Sequence, residues 1–243
     1  MLRSRLVSLS LLVCLLGVAV LRAEDVPSHD AVKPAPRDGG WMKRHDSFNE
    51  RVKQGNVDLI FIGDSITQGW EGAGKNVWAK FYGPRNAVNL GIGGDRTQHV
   101  LWRLDNGNIK GISPKLAVIM IGTNNSNSNT SEQIADGVKA IVAKLRQDLP
   151  KTKILVLGIF PRGAQPSDAK RQVNEGANKL IAKLADGENV HYLDIGAKFL
   201  EADGTLSKQI MPDLLHLNEK SYAIWAESIE PQVAELIGEK KAE

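Results

Sequence analysis

Five short apolar runs recur along the chain, and each gives way to glycine or polar residues. Leu59-Ile60-Phe61-Ile62 runs into Gly63-Asp64-Ser65. Ala87-Val88-Asn89-Leu90 runs into Gly91-Ile92-Gly93-Gly94. Leu116-Ala117-Val118-Ile119-Met120-Ile121 ends at Gly122-Thr123-Asn124. Ile154-Leu155-Val156-Leu157 leads to Gly158 and Pro161-Arg162-Gly163, and Val190-His191-Tyr192-Leu193 ends at Asp194. Runs without polar alternation suit strands buried on both faces, as in a parallel sheet. Longer stretches with apolar residues at helical spacing lie around 41–54, 97–105, 131–148, 168–186 and 218–238. Pro231 is expected to bend the last of them. Strand and helix in alternation predict an α/β fold, a three-layer α/β/α sandwich on a five-stranded parallel sheet. No composition break divides residues 41–240, so one domain is expected there.

A core of that size is supported by 42% hydrophobic residues. The charge balance, 31 Lys and Arg against 28 Asp and Glu, leaves no large excess of either sign. That argues against binding nucleic acid through counterion release. The single cysteine, Cys14, excludes an intrachain disulfide and a Cys-based zinc site. All three surplus positive charges, Arg3, Arg5 and Arg22, lie in residues 1–23, which contain no acidic residue. Arg3 and Arg5 precede an uncharged stretch from Leu6 to Leu21, and Ala23 follows. These are the parts of a secretory signal peptide. The stretch is short for a membrane span of about 20 residues. Val13 is large for the position before a lipidated Cys14. The expectation is a signal peptide over 1–23, export to periplasm or medium, and no stable membrane span after cleavage. Residues 24–40, with Pro27, Pro34, Pro36, Gly39 and Gly40, are expected to form a flexible lead-in.

Ligands of open parallel sheets bind at the carboxyl ends of the strands. Ser65, at a strand-to-helix junction, would present its hydroxyl and backbone N–H there, although an N-cap serine looks the same in sequence. The Gly91–Gly94 loop could aim a backbone N–H into a cleft, make a plain turn or cradle a phosphate. The spacing of a dinucleotide fingerprint is absent, as is the Walker pattern. Asn124 could donate its side-chain N–H to an oxyanion or serve only as a loop or capping residue. The glycosylation sequons at Asn124 and Asn129 are taken as chance. Asp213 and His216 are three apart, close enough for the carboxylate to orient the imidazole, and poorly spaced for a metal. His29 falls in the lead-in, His45 on a polar helix face and His191 on an exposed strand position. His99 follows the glycine loop and could support the site from behind.

Four blocks in order carry a resemblance: Phe61-Ile62-Gly63-Asp64-Ser65, Gly91-Ile92-Gly93-Gly94-Asp95, Gly122-Thr123-Asn124-Asn125 and Asp213-Leu214-Leu215-His216. Residues 41–238 resemble the SGNH (GDSL-type) hydrolase superfamily. They are most similar to the branch holding the catalytic subunits of intracellular platelet-activating-factor acetylhydrolase. Similarity to that branch extends to residues 93–104 and 157–163. The resemblance implies a flavodoxin-like sandwich and a serine esterase with no cofactor and no metal. It implies Ser65 as nucleophile, His216 as base and Asp213 as its orienting carboxylate. The implied oxyanion hole is the backbone N–H of Ser65 and Gly94 with the Asn124 side chain. Asp64, Asp95 and Asn125 are candidates to support these groups. The expected substrate is a short-chain, mainly acetyl, ester of a small molecule or carbohydrate, with a carbohydrate O-deacetylase the leading reading. Phospholipid-like or longer acyl esters and a non-catalytic carbohydrate-binding module stand as alternatives. The animal relatives form dimers, so the resemblance also allows a homodimer, which no feature of this sequence establishes.

Overall fold

A computed structural model describes residues 28–239. The signal-peptide reading of residues 1–23 and Cys14 fall outside the described residues. In chain order the elements are α1 (Gly40–Lys53), β1 (Leu59–Gly63), α2 (Ser65–Gln68), α3 (Lys75–Phe81), β2 (Ala87–Gly91) and α4 (Thr97–Asp105). They continue with β3 (Leu116–Met120), α5 (Ser131–Asp148), β4 (Lys153–Leu157), α6 (Ala169–Ile181), β5 (Val190–Leu193) and α7 (Glu219–Leu236). The five strands pair in parallel in the order β2-β1-β3-β4-β5. The expected α/β sandwich and parallel sheet are therefore present.

The apolar runs are continuous because the inner strands have helices on both sides. Every residue of β1 and β3 is buried, whereas the edge strands β2 and β5 are half-exposed at several positions. Alternate residues of one strand serve different cores, as the two-residue period of a strand requires. Ile60, Ile62, Ala117 and Ile119 pack with Phe48 of α1, Leu101 of α4, Ile141 of α5 and Ala177 of α6. Leu59, Phe61, Leu116 and Val118 face the other way, toward Trp70, Val77 of α3 and Trp225 of α7. Trp70 and Trp225 are fully buried with ring centroids 4.8 Å apart.

Several local readings shift. The helix expected after Ser65 is a single turn, α2, and α3 follows beyond Gly69, Gly72 and Gly74; both are too short for a repeating apolar face. The stretch 168–186 splits into α6 and a short 3-10 turn, Ala182–Leu184. α7 runs on through Pro231, whose ring lies on the exposed face, as does Glu227, whose carbonyl the missing N–H leaves free. His45 is buried, not on a polar face: it stacks on Trp41 at 5.8 Å and meets Trp102 at 5.0 Å. The described part of the lead-in is tied to the domain. Ala31 is fully buried, Thr97 Oγ1 donates to Ala31 O at 2.7 Å, and Ala35 N–H donates to Gln98 O at 3.2 Å.

The register places the site. Gly63 pairs with Gly91 on one side and Met120 on the other, so three strands end level. The loops after them, carrying Ser65, Gly94 and Asn124, leave side by side at the point where the strand order reverses. Close backbone approach there excludes side chains: a Cβ on Gly63 would lie 2.4 Å from Met120 O.

Candidate active site

Ser65 is the first residue of α2, directly after β1. Asp64 caps that helix, its Oδ1 accepting from Ile66 N–H at 2.9 Å. The Ser65 hydroxyl, half-buried, lies 2.9 Å from His216 Nε2. His216 Nδ1 lies 2.6 Å from Asp213 Oδ2. Asp213 Oδ1 also accepts the backbone N–H of Leu215 at 3.1 Å and of His216 at 2.7 Å. Partial burial pushes the Asp213 carboxyl up, but the hydrogen bonds from the His216 imidazole and backbone hold it below its ordinary value. The chain reverses between the two residues through Leu214, whose φ of 61° is left-handed and unusual for a branched residue. Gly163 N–H donates to Leu214 O at 2.9 Å, tying this turn to the loop after β4. In the same loop Arg162 Nη1 donates to Thr123 O at 3.1 Å, which couples it to the loop after β3.

Around Ser65 the other expected residues converge. Gly94 has φ +77° and is exposed, and a Cβ on the neighbouring Gly93 would lie 3.8 Å from Ser65 Cβ. Among the described residues neither the Ser65 nor the Gly94 backbone N–H has a hydrogen-bond acceptor. Asn124 Nδ2 donates to Asp95 O at 2.9 Å, which uses one of its two hydrogens and leaves the other free to donate. Gln68 Oε1, on α2, accepts from Gly93 N–H at 2.7 Å, linking the serine helix to the glycine loop.

The three supporting residues are buried. Burial pushes Asp64 up to about 7, against the Ile66 hydrogen bond, and its Oδ2 has no hydrogen-bond partner among the described residues. Asp95 gathers Trp41 Nε1 at 2.6 Å, Arg103 Nε at 2.9 Å and Arg37 Nη1 at 3.2 Å. Burial raises Asp95 and lowers Arg103, with the mutual ion pair opposing both shifts. Asn125 Oδ1 accepts Thr97 N–H at 3.0 Å, joining the β3 loop to α4. His99 Nδ1 accepts Arg96 N–H at 3.0 Å, and burial with the nearby arginines drives it down to about 4, so it caps α4 as a neutral ring.

Sequence reasoning missed Arg37, Trp41, Gln68, Arg103 and Arg162 as parts of this site. Arg103 and Arg162 did lie in segments noted for similarity beyond the blocks. Among the described residues no group of three or more His, Cys, Asp or Glu side chains is arranged to hold a metal. No helix among them is long and apolar enough to cross a membrane. The arrangement is a hydroxyl in line with an imidazole and a carboxylate, beside three N–H donors. It has the parts for nucleophilic attack on a carbonyl with stabilisation of the resulting oxyanion.

Comparison with known proteins gives a concordant picture. The model of the GDSL-like Lipase/Acylhydrolase family matches residues 61–224. The alpha1 subunit of platelet-activating factor acetylhydrolase IB from Rattus norvegicus is 41% identical over 198 residues, covering 79% of this chain and 84% of its own length. The alpha2 subunit from Gallus gallus is 39% identical over 207 residues, covering 85% and 89%. Among solved structures, a GDSL-like lipase from Bacteroides thetaiotaomicron superimposes with a TM-score of 0.61 at 20% identity, over 79% of this chain and 97% of its own. An acetylxylan esterase from Geobacillus stearothermophilus gives 0.60 at 20% identity, over 76% and 96%. At such identities the structural likeness speaks for the fold.

Proposed function

We propose, from the premise that this chain belongs to the GDSL-like lipase/acylhydrolase family, that it is an esterase of short-chain acyl esters, acetyl esters foremost, working through an acyl-enzyme on Ser65. The carrying observation is the line from Ser65 Oγ to His216 Nε2 at 2.9 Å and from His216 Nδ1 to Asp213 Oδ2 at 2.6 Å.

In this reading Ser65 Oγ attacks the ester carbonyl carbon while its proton passes to His216 Nε2. Asp213 keeps the other ring nitrogen protonated and stabilises the imidazolium. The carbonyl oxygen gains the negative charge and is met by the N–H groups of Ser65 and Gly94 and by Asn124 Nδ2. When the tetrahedral centre collapses, the C–O bond to the alcohol breaks and His216 returns the proton to the leaving oxygen. Water then attacks the acyl-Ser65 ester and gives its proton to His216. The carboxylic acid departs and the serine hydroxyl is restored.

For the alcohol side we favour a carbohydrate O-acetyl ester. The acetylxylan esterase shares this fold, and the domain without residues 1–23 is charge-balanced, so no electrostatic preference for an anionic partner is built in. A second reading, an acetyl ester on a phospholipid-like alcohol, is favoured by the 41% identity to the platelet-activating factor acetylhydrolase subunit. Both readings share the acetyl group. The basic start and the uncharged stretch Leu6 to Leu21 support export, which cell fractionation with an antibody to the domain would check.

A panel of esters tests the function. Nitrophenyl esters from acetate to octanoate give the acyl preference, expected to peak at acetate. Acetylated xylan, acetylated monosaccharides and an acetylated ether lipid then identify the alcohol. Ser65→Ala is the control and should lose all turnover above background. Wild-type turnover in that variant would remove Ser65 as nucleophile, and a peak at octanoate would remove the short-chain reading.

A further inference from the structure

We infer that Arg37 is a positioning residue for the oxyanion hole, delivered to the site by the strap of residues 28–39. The inference rests on the proposed role of the Gly94 N–H as an oxyanion donor. The Gly93 carbonyl and the Gly94 N–H belong to one peptide unit, which is trans and planar, so they point in opposite directions. Whatever fixes the oxygen fixes the aim of the N–H. Arg37 Nη1 donates to Gly93 O at 2.8 Å.

That peptide needs fixing. It lies between two glycines, the residue type with the widest backbone freedom. The units on either side are held, through Gly93 N–H to Gln68 Oε1 at 2.7 Å and Asp95 N–H to Ile92 O at 3.1 Å. The Gly93–Gly94 unit itself is held by Arg37. A cation on the carbonyl oxygen also polarises the amide, which makes its N–H a stronger donor. The guanidinium packs over the loop as well: a Cβ on Gly94 would lie 3.2 Å from both Nη1 and Nη2.

Arg37 is itself anchored. Its Nη1 reaches Asp95 Oδ1 at 3.2 Å, the oxygen that also accepts Trp41 Nε1, while Arg103 Nε holds Oδ2 of the same carboxylate. The strap before it is pinned at Ala31 and Ala35 on α4, and Asn129 Nδ2 donates to Asp30 Oδ1 at 2.6 Å. Pro34 and Pro36 flank the Ala35 pin and restrict the chain that leads to Arg37. The donor of the oxyanion hole is thus set by a residue outside the span 61–224 that the family model matches.

Steady-state hydrolysis of nitrophenyl acetate by the full chain tests this, with Arg37→Gln, Arg37→Lys, Arg37→Ala and Ser65→Ala compared with wild type. Deleting an oxyanion donor outright costs ~10²–10³-fold in kcat, and misaiming one should cost less. Arg37→Gln is expected to lose about 10- to 100-fold in kcat with KM changed less than about 3-fold. Arg37→Lys, which keeps the charge, should fall between Arg37→Gln and wild type. Inhibition by an arylboronic acid, a mimic of the tetrahedral species, should weaken by the same factor as kcat/KM. Guanidinium ion, far below denaturing concentration, should restore part of the activity of Arg37→Ala. Wild-type kcat in Arg37→Gln, a loss confined to KM, or a loss that tracks melting temperature and is not rescued by guanidinium would each overturn the inference. Ser65→Ala separates the two levels: if it keeps wild-type turnover, the reading of the whole site fails, whereas if it alone is inactive, only the role of Arg37 fails.

Discussion

In the proposed mechanism Asn124 carries two duties with one amide. One hydrogen of its Nδ2 is committed to Asp95 O at 2.9 Å, which sets the direction of the other. Asn124→Ala therefore removes a pre-aimed donor. It should lower kcat for nitrophenyl acetate by ~10²-fold or more at nearly unchanged KM. A variant with wild-type kcat would take Asn124 out of the oxyanion hole. Ser65, Asn124, Asp213 and His216 are picked out in the sequence by the four-block resemblance, since taken singly an N-cap serine or a loop asparagine reads the same; only part of their placing is local. Asp213, for example, accepts the backbone N–H groups of the next two residues. Arg37 was not legible, because its target, Gly93 O, lies 56 residues away and a backbone carbonyl leaves no mark in sequence. His45 misled for a related reason. Its polarity suggests a surface, but its partners, Trp102 and Asn108, come from another part of the chain.

Strands and long helices were read from their apolar spacing, since a strand sealed between two helix layers has no polar face to confuse the pattern. α5 matched its expected span, 131–148, because Thr130 and Gln133 form a capping box at its start. The apolar pattern reveals neither the length of α2 nor the existence of α3, since a single turn after Asp64 and seven residues after Gly74 carry no period. Elements are also joined by charge below the glycine loop. Arg103 of α4 and Asp95 form a fully buried pair, with Asn108 accepting from Arg103 Nη1 at 2.9 Å. Removing one partner of such a pair leaves the other uncompensated. Arg103→Met should cost about 3–5 kcal/mol in urea unfolding, more than exposed ion pairs such as Lys53 with Glu50. A loss below about 1 kcal/mol would show that Trp41 and Arg37 suffice to hold Asp95.

For the molecule as a whole, buried titratable groups make stability depend on pH in two opposed ways. Asp64 is raised from 3.8 to about 7 by burial. Its contribution is full below the unfolded value and is lost as pH rises through the folded one. His99 is lowered from 6.5 to about 4, so its contribution is present above the unfolded value and is lost as pH falls through the folded one. Asp64→Asn keeps an acceptor for Ile66 N–H and removes the first effect. The variant should gain stability relative to wild type between about pH 4 and pH 8, by at most ~4 kcal/mol, as read by urea unfolding at each pH. An equal offset at every pH would mean that Asp64 does not titrate in that window.

The central claim is that this charge-balanced sandwich converts esters through a covalent bond to Ser65. Rapid acid quenching during nitrophenyl acetate turnover, followed by peptide mass analysis, tests it most directly. The account predicts one acetyl group on the peptide containing Ser65 in the wild type and none in Ser65→Ala. It also predicts that the adduct accumulates in His216→Ala if that variant is acylated by a more activated ester. An acetyl group on another residue at wild-type turnover, or turnover without any adduct in Ser65→Ala, would contradict it.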